Sequence, residues 1–181
     1  MTKLHLTLLG PFDATLDGQP VTHFRTNKVQ ALLIYLAAER DYPHQREALM
    51  ELLWPDMPLE SAQVNLRQTI YRLRQAIPEI NHKDRSETVP SLITDRQHVQ
   101  LNPAADIDID VDAFERYIDQ DPIKAVDLYR GDFLADFYLA DSNPFEEWAE
   151  RIRENFRRKV VQILDSLTID CLRRSDYEGA Q

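Results

Sequence analysis

The stretch from Glu60 to Ile77 constrains the chain most, because it can form one long amphipathic helix. Its apolar positions recur at spacings of three and four and therefore share one stripe: Ala62, Leu66, Thr69, Ile70, Leu73 and Ile77. No Asp or Glu occurs between Glu60 and Glu79, although the formal net charge of the chain is −10. The stretch is therefore locally basic within an acidic protein.

The face opposite this stripe carries side chains that can read DNA. It consists of Asn65, Gln68, Tyr71 and Arg72, with Gln75 beside them. Arg pairs bidentately with guanine, and Asn or Gln with adenine, in a major groove wide enough for one helix. We predict that Asn65, Gln68, Tyr71 and Arg72 face base edges. Arg67 and Arg74, at the flanks of this face, are predicted to contact phosphates. A solvated amphipathic helix without nucleic acid is the alternative interpretation.

Charge is unevenly divided along the 181 residues. Residues 1–100 hold 11 Lys and Arg against 12 Asp and Glu, whereas residues 101–181 hold 10 against 19. The nearly neutral first half leaves room for a local basic surface. A single cysteine, Cys171, excludes an internal disulfide, and its place on an apolar helical stripe predicts burial. With no long apolar run and no signal-peptide pattern, we expect a cytoplasmic protein outside the membrane.

The elements around the basic helix predict a winged helix-turn-helix with an N-terminal antiparallel sheet. Alternation from Leu4, an Asp17-Gly18 turn signal and a return strand at 20–24 predict the sheet. Thr26 or Asn27 begins a helix that reaches about Arg40, and a second helix covers roughly 45–54. Residues 79–88 have loop composition. Strands at 92–94 and 98–101 flank the tip Asp95-Arg96-Gln97 and form the wing.

Three further basic residues are candidates for DNA contact. Arg25 and Lys28 lie near the start of the first helix, where they either contact the DNA backbone or are surface charges without a role. Arg96, on the wing, is a candidate for the adjacent minor groove, whose negative potential attracts arginine.

The second half is predicted to be helical. Alternate aspartates at 106–112 indicate a linker strand with a solvated acidic edge rather than a calcium loop, because Val111 and Tyr117 occupy the positions that need Gly and Glu. Two short helices follow, and a longer helix begins with Asn143 as its cap. Its apolar stripe runs from Phe145 to Cys171. We expect this helical domain to be incomplete and to leave part of that stripe exposed.

Several segments together carry a family resemblance. They are Leu8-Leu9-Gly10-Pro11-Phe12, Leu52-Leu53-Trp54-Pro55-Asp56, Asn65-Leu66-Arg67-Gln68, Leu128-Tyr129-Arg130-Gly131-Asp132-Phe133-Leu134 and Trp148-Ala149-Glu150-Arg151. The first three resemble the OmpR-like DNA-binding domain of SARP-type transcriptional activators, and the last two the bacterial transcriptional activator domain that follows it. The resemblance implies an α+β chain with a winged helix at 1–102 and a truncated, TPR-like helical domain at 103–181.

The resemblance implies a sequence-specific transcriptional activator that reads promoter direct repeats with helix 60–77 in the major groove. Its partner is double-stranded DNA, on which it pairs as a homodimer, and the resemblance permits contact with RNA polymerase. Neither an enzyme nor a cofactor is expected, because the five histidines lack metal-ligand spacing and no phosphate-binding loop is present. The alternative is a helical-repeat protein-interaction module that does not bind DNA.

Overall fold

The computed structural model describes residues 2–178, with side chains described up to residue 173. In chain order the elements are β1 (Leu4–Thr7), β2 (Asp13–Leu16), β3 (Gln19–Pro20), α1 (Asn27–Ala38), β4 (His44–Gln45), α2 (Arg46–Leu53), α3 (Leu59–Ala76), β5 (Glu79–Asn81), β6 (Thr88–Pro90), β7 (Leu92–Thr94), β8 (His98–Leu101), β9 (Ile107–Ile109), α4 (Asp110–Gln120), α5 (Pro122–Leu128) and α6 (Asn143–Glu178). This order confirms an α+β winged helix followed by a helical region.

The N-terminal sheet has the strand order β3-β2-β1-β9. Strands β1 and β2 pair antiparallel, and the turn at Asp17 (φ 53°) and Gly18 (φ 74°) has the two positive φ angles of a type I′ turn. The predicted return strand at 20–24 was too long, since β3 covers only Gln19–Pro20. The chain leaves the sheet there, and Phe24 instead packs on Phe12, with ring centroids 6.1 Å apart.

Two regions differ from the sequence expectation. The loop predicted at 79–88 begins with β5, which pairs with β6 in a hairpin and buries Ile80 completely. A single buried side chain gives no periodicity that a sequence could display. The linker strand at 106–112 is present as β9, but it pairs in parallel with β1 as part of the sheet. Asp110 does not lie on a solvated edge, because its carboxylate accepts the backbone N–H groups of Leu8 and Leu9.

Helix α1 lies at the centre of the molecule. It is buried on nearly all sides, through Val29, Ala31, Leu32, Leu33, Ile34, Leu36 and Ala37. A helix that is apolar all round must be covered all round. It packs against α2 and α3, and its Tyr35 ring also meets Trp148 of α6 edge-on, with centroids 5.0 Å apart. The two halves therefore share one hydrophobic core.

Polar contacts reinforce this junction. Trp148 donates through Nε1 to the Glu39 carboxylate at 2.9 Å, and the Ser142 hydroxyl donates to the Leu52 carbonyl oxygen. The predicted cap of the long helix was wrong by one residue. Asn143 is the first helical residue, and Ser142 caps the helix by accepting the Phe145 N–H at 3.3 Å.

Helix α6 is buried only along its first part. Its inward side chains are Phe145, Trp148, Phe156, Val160 and Ile163, whereas Leu164 and Cys171 of the predicted stripe are exposed. Ile169 and Leu172, outside that stripe, are exposed as well. The expectation of a partly exposed stripe is confirmed for the described residues. Cys171 is exposed rather than buried, because the elements that cover the first part of α6 do not reach it.

Candidate nucleic-acid interface

Helix α3 separates a core face from an exposed face as its sequence predicts. Ala62, Leu66, Thr69, Ile70 and Leu73 are buried. On the opposite side, Gln68 is exposed and the Tyr71 side chain is 62% exposed. Asn65 and Arg72 are half-buried at the edges of this face. The four predicted base-reading residues are therefore all accessible on one side of one rigid helix.

Two short side-chain contacts organise this face. Gln75 donates from its amide to the Tyr71 hydroxyl oxygen at 2.9 Å. Asn65 donates to the Met57 sulfur at 3.1 Å, which is a weak contact with the turn before α3. Gln68 and Arg72 make no hydrogen bond or ion pair within the described part of the chain. Their polar groups remain available to a ligand.

The loop after β3 lines one flank of α3. A cleft of about 270 Å³ lies between this loop and the last turns of the helix, and Arg25, Arg72 and Gln75 are among the residues that line it. Arg25 is exposed. The structure thus brings together two arginines that are 47 positions apart in the sequence.

The wing lines the other flank. Arg74 donates from Nη2 to the Thr94 hydroxyl of β7 at 2.6 Å, which ties α3 to the wing. The tip has no glycine; instead the Asp95 carboxylate accepts the backbone N–H groups of Gln97 (2.7 Å) and His98 (2.6 Å). These two bonds lower the pKa of Asp95 below its usual value. Arg96 is exposed at the tip that they fix.

Lys28 occupies a different environment from the other candidates. Its ammonium donates to the Leu53 carbonyl oxygen, pairs with Asp141 at 2.9 Å and lies 5.8 Å from the centre of the Trp54 ring. Its side chain is only 12% exposed. The structure therefore places Lys28 in the junction between the two halves rather than beside α3.

The α3 surface carries several arginines without an acidic partner. Among the described residues, none of the arginines that line it has a salt bridge: Arg25, Arg67, Arg72, Arg74 and Arg96. Such a surface attracts a polyanion, and the attraction should weaken with salt.

Arg46 is a basic residue at this surface that the sequence did not mark. It begins α2, and its Nε donates to the Asp95 carbonyl oxygen at the wing tip, 3.0 Å away. That position depends on the pairing of β4 with β8, which brings residues about fifty positions apart into contact. No local pattern signals such a pairing.

Two other kinds of site are absent from the residues that the structure describes. No helix there combines the length and apolar character required to cross a membrane. No cluster of three or more His, Cys, Asp or Glu side chains there could hold a metal ion.

Comparisons with known proteins show which family and fold this chain resembles. Residues 20–92 match the family described as "Transcriptional regulatory protein, C terminal". The "Transcriptional regulatory protein EmbR" of Mycobacterium bovis and that of Mycobacterium tuberculosis are each 33% identical to this chain over 75 residues, which is 41% of this chain and 19% of the relative. The matched family segment contains every candidate residue except Arg96.

A solved structure extends the likeness to the whole fold. It is described as "Mycobacterium tuberculosis EmbR in complex with low affinity phosphopeptide" and aligns with a TM-score of 0.64 at 21% identity, covering 99% of this chain and 52% of that one. This chain thus spans about half the length of that relative. The family match and the fold together confirm the resemblance to SARP-type regulators with an OmpR-like winged helix.

Proposed function

We propose that this chain, a SARP-type transcriptional regulator by family match and fold, activates transcription by reading promoter direct repeats with α3 in the major groove. The observation that carries the proposal is the face of α3, which presents accessible Asn, Gln, Tyr and Arg side chains between two basic flanks. A winged helix at 1–102 would bind the DNA, and the helical domain at 103–181 would serve contacts with protein.

The proposed roles follow from position on this surface. Asn65, Gln68, Tyr71 and Arg72 face base edges, because they lie opposite the buried stripe. Arg67 and Arg74 lie toward the edges of that face and contact phosphates, as does Arg25 beside the end of α3. Arg96 enters the adjacent minor groove from the wing tip. Lys28 is left out of this set, since its ammonium is already engaged.

The acidic second half does not obstruct this arrangement. Its polar contacts with the first half go to α1, α2 and the N-terminal sheet, including Trp148 with Glu39 and Asp110 with Leu8. Across the described residues, no hydrogen bond or ion pair joins α4, α5 or α6 to α3. Binding of a duplex to the α3 face would therefore break no polar contact between α3 and the helical half.

Activation is assigned to the turn between α2 and α3. Met57 in this turn is 45% exposed, and Leu59, the first residue of α3, is 61% exposed. The acidic Asp56 and Glu60 are close by in the sequence. An exposed apolar and acidic projection next to bound DNA suits contact with RNA polymerase, which the family resemblance permits.

Selection of duplexes from a random pool tests the proposal, because it measures binding and identifies the site together. We expect one enriched motif whose affinity falls steeply with salt. The triple variant Asn65→Ala, Gln68→Ala, Arg72→Ala keeps the buried stripe of α3 and is expected to lose the motif. Failure of the intact chain to enrich any sequence would overturn the proposal.

A protein-interaction module without DNA binding is the second candidate function. The exposed Leu164, Ile169 and Leu172 on α6 favour it, since apolar side chains grouped on one helix commonly mark an interface. The same selection separates the two functions, because this candidate predicts no salt-dependent binding to any duplex.

A further inference from the structure

A cleft that we call the basic cleft lies where α2, α3 and the wing tip meet. It encloses about 350 Å³ and is lined by Arg46, Arg67 and Arg96, with Glu47, Gln63 and Asp95 between them. Each of the three arginines comes from a different element. Arg46 begins α2, Arg67 belongs to α3 and Arg96 lies at the wing tip.

The guanidinium groups of the basic cleft are largely unused by the protein. Arg46 donates a hydrogen bond from Nε to the Asp95 carbonyl oxygen, and in the described structure its two terminal nitrogens have no partner. Arg67 and Arg96 make no hydrogen bond or ion pair with any described residue. Glu47 and Asp95 are the two acids of the cleft, and the Asp95 carboxylate accepts the backbone N–H groups of Gln97 and His98. The three arginines therefore exceed the acids by one positive charge.

The bond between Arg46 and Asp95 fixes the guanidinium before any ligand arrives. Backbone contacts hold the same region, because the Arg46 N–H donates to the Gln97 carbonyl oxygen at 2.8 Å and β4 pairs with β8. A guanidinium held in this way loses little side-chain entropy on binding, and its remaining fork of N–H donors matches the oxygens of a phosphate.

The position of the basic cleft identifies its ligand. A major groove and the neighbouring minor groove are separated by one sugar-phosphate strand. If α3 occupies the first and the wing the second, that strand must pass between them, where the cleft lies. We propose that the basic cleft binds one backbone phosphate of DNA, with Arg46 and Arg67 as its ligands and Arg96 on the minor-groove side of the same strand. This inference rests on the proposed function.

Neutralisation of single phosphates tests the assignment. The selected duplex is prepared with one uncharged methylphosphonate at each position in turn, and the dissociation constant of the wild-type chain is measured for each. We expect one position on the strand between the two grooves to weaken binding by about tenfold, as for loss of a charge-assisted hydrogen bond. Arg46→Gln should weaken binding to the native duplex by a similar factor. For this variant, a methylphosphonate at that position should cause no further loss of affinity.

Matched variants exclude an indirect effect through the wing. Glu47→Gln removes the opposing charge in the same cleft and is expected to raise affinity, whereas Arg116→Gln removes an exposed positive charge from α4 and is expected to change nothing. Thermal unfolding verifies that each variant is folded. The inference would be overturned if the methylphosphonate at that position lowered the affinity of Arg46→Gln as much as it lowers the affinity of wild type. A lower affinity of Glu47→Gln for the native duplex would overturn it as well.

The outcomes also separate this inference from the proposed function. Selective binding by wild type that does not change in Arg46→Gln removes the basic cleft from the interface and leaves α3 as the reading helix. Absence of any selective binding by wild type overturns both.

Discussion

Arg72 is the residue whose loss should most clearly change sequence preference. It lies at the edge of the exposed α3 face and has no protein partner within the described residues. We predict that Arg72→Ala weakens specific binding by about 1–3 kcal/mol and relaxes preference at one or two base pairs. Competition binding with single-base variants of the selected site measures this.

Arg67→Ala is the matched control for that prediction. Because Arg67 is proposed to contact a phosphate, its loss should weaken binding to all duplexes alike. It should also reduce the salt dependence of the affinity by about one phosphate contact. Affinity of both variants equal to that of wild type would remove α3 from the mechanism.

Asp132 should control part of the acid sensitivity of the fold. Its carboxylate accepts Nε of Arg157 and the Tyr129 hydroxyl, each at 2.7 Å. The Arg157 guanidinium, followed by the Tyr129 hydroxyl, lowers the pKa of Asp132 from 3.8 to about 2. The folded state therefore binds the proton more weakly than the unfolded state does. The resulting stability is present above pH 3.8 and is lost as the pH falls towards 2.

The measurement is urea unfolding of wild type and Asp132→Asn between pH 5 and 2. We predict that the difference in the free energy of unfolding shrinks as the pH falls. Burial raises the pKa of Asp110 and Asp112, so these groups act in the opposite direction, but both proteins contain them and they cancel in the difference. A difference independent of pH would contradict the assignment.

At the scale of elements, one buried hydroxyl links the end of α2 to the start of α6. The Ser142 side chain donates to the Leu52 carbonyl oxygen and accepts the Phe145 N–H, and the residue is 1% exposed. Ser142→Ala would leave a shielded carbonyl without its donor. We predict a loss of about 1–3 kcal/mol in the free energy of unfolding.

Ser166 provides the control for this prediction. It is exposed on the same helix and donates only to the Gln162 carbonyl oxygen of its own helix, at 3.0 Å. Ser166→Ala should change stability by less than about 0.5 kcal/mol. Equal small effects of both substitutions in urea titrations would mean that the hydroxyl of Ser142 does not hold the junction.

At the same scale, a glycine allows the two halves to approach each other. Gly10 has a φ of +123° and donates its N–H to the Asp132 carbonyl oxygen at 3.1 Å. Residues that carry a side chain rarely adopt this φ, whereas the space itself would admit a Cβ at an ordinary contact distance of 3.5 Å from Cβ of Arg130. The backbone geometry of Gly10 thus explains why the loop between β1 and β2 can pack on the helical half.

At the scale of the whole molecule, the short DNA site that one winged helix reads predicts how copies assemble on DNA. One reading helix contacts few base pairs, so the proposed direct repeats require two copies in head-to-tail order. We predict a monomer in solution and two copies on a duplex with two repeats about one helical turn apart, which places both reading helices on one side. Native mass measurement of the complex checks this, with a single-repeat duplex as the control. A stable one-to-one complex on two repeats would contradict it.

The sequence by itself determined the elements whose signal is local. The stripe from Ala62 to Ile77 predicted α3 to within one residue at each end, because a helix repeats its buried positions every three or four residues. The wing strands and the turn at Asp17-Gly18 followed equally from short-range pattern. The reading face was predictable for the same reason, since it is the side of α3 that the buried stripe leaves free. Its role in DNA binding stays a prediction.

Only the tertiary structure decided what lies beside that face. Arg46 reaches the wing because β4 pairs with β8, and Lys28 is withdrawn into the junction by Asp141, more than a hundred positions away. Strand β9 pairs with β1, and the Asp110 carboxylate accepts the backbone N–H of Leu8, which is 102 positions away in the sequence. These contacts depend on the packing of the whole core rather than on residues that are neighbours in the sequence. No pattern within a short window can therefore encode them.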